Sequence, residues 1–258
     1  MVSSPVSSAV LLLTCINRVV VMARARVGAH PNGNLHNTSF RCNRCPDCRG
    51  PGYMARLPPE LRYVTCGSVL KLQNTEHGVR LHSHDIKYGS GSGQQSVTGT
   101  DQMDDNNSHW VLKAKRGGSC PRGEPVACGS TVRLEHLTTR KNLHSHHFVS
   151  PLSNNQEISA FGDSGEGDTG DNWTVVCSSD FWERGATVRL KHVDTDMWLC
   201  ASGQTYGRPI GGQMEICGLG HPASSCYWKT AEGVYLREGD ATLALRAAAH
   251  TSHLHQEL

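Results

Sequence analysis

Between Val64 and about Gly233, apolar side chains recur at every second position in runs only a few residues long. Leu70 and Leu72 flank Lys71, Val132 and Leu134 flank Arg133, and Val188 and Leu190 flank Arg189. A period of two places the apolar members of each run on one face of an extended strand. The runs are separated by "NTEHG" at 74–78, "SGSG" at 90–93, "DDNNS" at 104–108, "GEGDTGD" at 165–171 and "GRPIGG" at 207–212. Their Gly, Asn, Asp and Pro favour chain reversal over helix. No window of a dozen residues from 64 to 235 carries a helical apolar stripe.

The runs keep a register. "VLKL" ends at Leu72, nine residues before Leu81; "TVRL" ends at Leu134, nine before Leu143; "TVRL" ends again at Leu190, nine before Leu199. Each unit then passes a Val or Ile (Val97, Ile158, Ile216) and closes on a tryptophan. Leu72 to Trp110 is 38 residues, Leu134 to Trp173 is 39, and Leu190 to Trp228 is 38. Each unit reads as about four short strands, which alone cannot hide their apolar face, so three units must pool a core. The expectation is an all-β chain forming a β-trefoil, with repeats at about 63–117, 125–179 and 180–234 inside a domain spanning 63–236. Leu72, Trp110, Leu134, Trp173, Leu190 and Trp228 are the expected core anchors. Each tryptophan would bury roughly 150 to 250 Å², about 4 to 6 kcal/mol of transfer free energy. Trp182 and Trp198 fall outside this register.

The strings "LHSHD", "YGSGSGQQSVTG", "NLHSHHF", "SPLSNNQEISAFG" and "YGRPI" resemble the MIR-repeat proteins, and among them the stromal cell-derived factor 2 group. The resemblance runs from about Val64 to about Gly233. It implies a β-trefoil, no catalytic residues and no cofactor. It also implies a role in folding and quality control in the endoplasmic reticulum lumen, with a J-domain co-chaperone, BiP and misfolded proteins as partners. Cys66, Cys120, Cys128 and Cys177 fall where the family carries cysteines, so native disulfides are expected among these four, with three pairings open. Cys200, Cys217 and Cys226 depart from the family pattern and read as small buried hydrophobes.

"LHSH" occurs at 81–84 and again at 143–146. Paired imidazoles invite a metal reading, but a zinc site takes three or four ligands, and neither copy offers an obvious Cys or carboxylate within local reach on the face of its two histidines. The third unit, moreover, has Cys200 and Ser202 where the others have His. Polar surface or structural hydrogen bonding is therefore the expected role, and no metal is expected.

A formal charge of +2 argues against a strong field for nucleic acid. Eleven cysteines point to an oxidising compartment. The final tetrapeptide, His255, Gln256, Glu257 and Leu258, is close to the lumenal retrieval signals read by a KDEL-type receptor. Residues 237–258 read as a tail presenting it. "AVLLLTCI" at 9–16 has the length of a signal core but lacks a basic start, and with 19–23 it is too interrupted for a membrane span. Cys42, Cys45 and Cys48 lack a further ligand pair at zinc spacing. Residues 1–62 match nothing in the family and are expected to be disordered or a misassigned first exon. Asn37, Asn106 and Asn172 head glycosylation sequons, Asn172 being the least favourable because it adjoins Trp173.

No nucleophile or acid–base pair stands out; Asp104 with Asp105 and Glu166 with Asp168 fall in turns, where solvated carboxylates are the default. A lectin-like module of the glycoprotein pathway is the second reading, with Tyr88, Gln94, Tyr206 and Gln213 as the best sugar contacts, since trefoils often bind sugars in three related pockets.

Overall fold

Twelve strands form in the computed structural model, which describes residues 57–239. In chain order they are β1 (Val69–Asn74), β2 (Arg80–Lys87), β3 (Gln95–Thr100), β4 (Trp110–Ala114), β5 (Thr131–His136), β6 (Asn142–Val149), β7 (Gln156–Phe161), β8 (Trp173–Val176), β9 (Thr187–His192), β10 (Trp198–Thr205), β11 (Met214–Leu219) and β12 (Trp228–Val234). The first three strands of every repeat have the same lengths, six, eight and six residues.

Antiparallel pairing closes two rings. One runs β1–β4–β5–β8–β9–β12 and back to β1, a six-stranded barrel. The hairpins β2–β3, β6–β7 and β10–β11 form the cap, and their inner strands pair with one another as β3–β7, β7–β11 and β11–β3. This is a β-trefoil.

The landmarks spaced along the chain meet in space. Leu72, Leu134, Leu190, Trp110, Trp173 and Trp228 are each fully buried. Each indole N–H donates to the carbonyl of its own repeat's cap leucine: Trp110 to Leu81 at 2.9 Å, Trp173 to Leu143 at 2.9 Å and Trp228 to Leu199 at 2.8 Å. A buried indole donor needs such a partner, and the repeated spacing is what supplies it.

Trp182 lies in register after all. It stands eight residues before Leu190, as Val64 and Val126 stand before Leu72 and Leu134. Those three residues link end to end through the backbone: Val64 N to Trp182 O, Val126 N to Val64 O and Trp182 N to Val126 O, at 2.8, 2.9 and 2.8 Å. The buried Trp182 ring fills the barrel where the other two repeats offer Val. Gly67, Gly129 and Gly185 follow at equivalent positions with φ of +80°, +85° and +79°, a conformation that costs glycine nothing.

The domain edges shift slightly from the expectation. Pro59–Leu61 forms a 3-10 turn, and Glu60 O accepts from Glu238 N at 2.8 Å, so residues 57–62 and 237–238 belong to the folded body. The apolar stretch at 9–23, Cys42, Cys45, Cys48, Asn37 and His255–Leu258 lie outside the described residues. No helix among the described residues is long and apolar enough to cross a membrane.

Candidate functional site: the histidine strands and the cap

The two "LHSH" strands are built into the fold by carboxylates distant in sequence. His82 Nδ1 donates to Asp105 Oδ2 at 2.8 Å, and His82 Nε2 lies 2.8 Å from His84 Nδ1. In the second repeat His144 Nδ1 donates to Asp171 Oδ1 at 2.9 Å, with His144 Nε2 3.2 Å from His146 Nδ1 and His146 Nε2 3.4 Å from Glu157. His82 and His144 are buried rather than surface polar groups. Burial, with His82 alongside, pushes the His84 pKa down to about 4. Burial alone would raise the Asp105 pKa, but hydrogen bonds from Ser108 and His82 hold it below its usual value. Asp105 is thus no solvated turn carboxylate.

The third repeat replaces this lock. Cys200 occupies the position of His82 and His144, and Cys226, two residues before Trp228, the position of Asp171. The two form a disulfide. The reading of Cys200 and Cys226 as mere hydrophobes is corrected here: the covalent bond joins the same strand and turn that His144 and Asp171 join by a hydrogen bond. Cys217, the register partner of Cys200, is a buried free thiol whose pKa burial lifts to about 12. The other disulfides are Cys66–Cys120 and Cys128–Cys177. Arg184, equivalent to Cys66 and Cys128, instead stacks on Tyr235, with its guanidinium carbon 3.8 Å from the ring centroid.

A second set of side chains staples each repeat to the next. Asn74 donates to Ser225 O at 2.7 Å, His136 Nε2 to Asn107 O at 2.8 Å and His192 Nε2 to Gly170 O at 2.8 Å. His136 Nδ1 accepts from Thr139 N at 3.3 Å, an acceptor role that protonation abolishes. Burial drives the His136 pKa to about 4 and also lowers that of His192. Sequence reading missed these two; their signal was the repeated position just after "TVRL".

His144, Asp168 and Asp171 bring one ligand atom each within 4.8 Å of one another. Those atoms already serve the fold, since Asp168 Oδ1 accepts from Gly170 N at 2.9 Å and Asp171 caps the same turn.

The sugar-contact candidates lie in the cap. Tyr88 is buried, its hydroxyl 2.9 Å from the carbonyls of Val97 and Ile158. Gln94 Oε1 accepts from Ser159 and Gln213 Oε1 from Thr98, both at 2.5 Å. Tyr206, half-buried, stands against Tyr88 with ring centroids 6.5 Å apart. The structure therefore ties Tyr88, Gln94 and Gln213 into hydrogen bonds within the cap, with Tyr206 packed against Tyr88. Asn106 is exposed on a 3-10 turn, whereas Asn172 is half-buried and accepts from Arg116 N at 3.1 Å.

Residues 72–207 match the MIR domain model. Stromal cell-derived factor 2 of Mus musculus is 54% identical over 191 residues, covering 74% of this chain and 89% of the mouse protein. Stromal cell-derived factor 2-like protein 1 of Mus musculus is 60% identical over 176 residues, covering 68% and 80%. The crystal structure of the SDF2-like protein from Arabidopsis thaliana superposes with a TM-score of 0.67 at 45% identity, covering 69% of this chain and 99% of that one.

Proposed function

The chain belongs to the MIR-domain family, in its stromal cell-derived factor 2 branch, and from that membership we propose that it is a non-enzymatic adaptor of the endoplasmic reticulum lumen. It joins a J-domain co-chaperone and BiP to misfolded polypeptides, and the His255–Leu258 tetrapeptide returns it to the lumen through a KDEL-type receptor. The observation that carries the compartment is the three disulfides among the described residues, which a reducing cytosol would not maintain. A binding role is supported by how the titratable groups are used. His82, His144 and His146, the histidines beside carboxylates, are tied to Asp105, Asp171 and Glu157 by hydrogen bonds that join strand to turn or strand to strand. A sugar-binding role loses support because Tyr88, Gln94 and Gln213 are engaged within the cap.

Affinity capture from lumenal extract tests the proposal. Recovery of a J-protein and BiP, surviving enzymatic removal of glycans and falling when residues 255–258 are deleted and the chain escapes to the medium, is the expected result. Binding confined to a glycan array, with no co-chaperone recovered, would replace the adaptor with the lectin.

A further inference from the structure

The three outer hairpins are equivalent in backbone but not in what they show to solvent. At the tip of β6 stand Phe148, 47% exposed, and Val149, 62% exposed. The equivalent positions are Ile86 and Lys87 in the first repeat and Gln204 and Thr205 in the third, so the fold itself does not require an apolar pair there. Beyond Asn142, β6 is paired on one flank only, since its sole partner residue on β5 is Glu135. Two hollows adjoin at His147 of β6. One, about 330 Å³, is walled by Phe148, Val149 and Met197 together with Asn154, Asn155 and Gln156; the other, about 390 Å³, by His146, Asp168 and Asp194. Asp168 and Asp194 are exposed, and neither pairs with a Lys or Arg among the described residues, whereas their neighbour Asp196 pairs with Lys191 at 2.8 Å. At the junction of the first and second repeats Thr138 stands where Asp194 does, and Asp105, which like Asp168 precedes its repeat's tryptophan by five residues, is taken up by His82. An acidic hollow beside an apolar one therefore occurs at the junction of the second and third repeats and not at the first.

We propose that this groove docks an extended polypeptide segment carrying a Lys or Arg close to large apolar side chains. The apolar side chains cover Phe148, Val149 and Met197, removing an exposed apolar patch from water. The cation meets Asp168 and Asp194. This deepens the adaptor reading and rests on it, since segments of this composition are what an unfolded client exposes.

Fluorescence anisotropy on the full chain tests it, with the labelled nonapeptide Gly-Ser-Lys-Ala-Phe-Leu-Ala-Ser-Gly and two relatives, one with Glu for Lys and one with Ser for both Phe and Leu. The lysine peptide should bind at least about tenfold more tightly than either relative. Phe148→Ser with Val149→Ser should weaken it by about tenfold or more, and Asp194→Lys should reverse the preference between the Lys and Glu peptides. Ile86→Ser, on the equivalent first-repeat hairpin, should leave binding within about twofold. All substituted residues are exposed, and an unchanged melting temperature verifies the fold. Equal binding of the three peptides, no binding, or binding indifferent to the Phe148 and Val149 changes overturns the groove. Co-chaperone capture by the same variants separates the two claims: capture without peptide binding leaves the adaptor and removes the groove, while the predicted peptide preferences without capture do the reverse.

Discussion

Replacing Cys200 and Cys226 together by Ala removes the third repeat's lock, along with the 3.3 Å contact that Cys226 Sγ accepts from Ala223 N. The bond closes a separation of 26 residues, for which chain entropy in the unfolded state gives about 3.5 kcal/mol at 25 °C. In a domain of this size each kcal/mol moves the melting temperature by about 2–4 °C, so the double variant should melt about 7–14 °C lower. The sharper test is exchange of locks. Cys200→His with Cys226→Asp installs the second repeat's pair at the equivalent positions, where a hydrogen bond to a charged group contributes about 1.5–3 kcal/mol. That variant should recover about 40–85% of the loss. Differential scanning calorimetry of the parent and both variants decides it. An alanine variant melting within about 2 °C of the parent would refute the strength assigned to the bond. A His/Asp variant no better than the alanine one would refute the equivalence of the positions.

Other perturbations reach other parts of the scaffold. The folded-state pKa of His136, about 4, lies below the ordinary 6.5, so the unfolded chain takes up the proton first. Stability is therefore full above pH 6.5 and falls as pH drops toward 4. His136→Asn, the residue that the first repeat uses, should flatten that fall in urea midpoints measured at pH 7.5 and 5. Arg80 holds the Glu232 carboxyl at about 2, so its stabilisation is present above pH 4.5 and lost on acidification toward 2; Glu232→Gln should remove that acid limb in the same titration. Trp173→Phe leaves the Leu143 carbonyl without its donor and opens a cavity, costing about 2–4 kcal/mol by chemical denaturation. In secretory cells, a glycosidase-sensitive mass shift should shrink with Asn106→Gln and stay unchanged with Asn172→Gln.

The spacing of Leu72, Leu81 and Trp110, repeated twice, was enough to read the barrel and cap, because the contact of each tryptophan with its cap leucine recurs at a separation of 29, 30 and 29 residues. The histidine locks were not legible. Asp105 and Asp171 stand at slightly different distances from their tryptophans, and the third copy changes chemistry to a disulfide, so no shared motif marks the position. Trp182 was misplaced because it substitutes for valines, Val64 and Val126, rather than for a tryptophan. Tyr88, Gln94 and Gln213 looked free in sequence because their partners, the carbonyls of Val97 and Ile158 and the hydroxyls of Ser159 and Thr98, come from neighbouring strands.

The most direct measurement is hydrogen exchange of the indole N–H protons of Trp110, Trp173 and Trp228, resolved by NMR and assigned by single Trp→Phe variants. If the three repeats line one core and each indole is held by its cap leucine, all three should exchange only through global unfolding, with protection equal within about 1 kcal/mol. Exchange of any one of them by local opening, orders of magnitude ahead of the other two, would contradict a core shared equally by the three repeats.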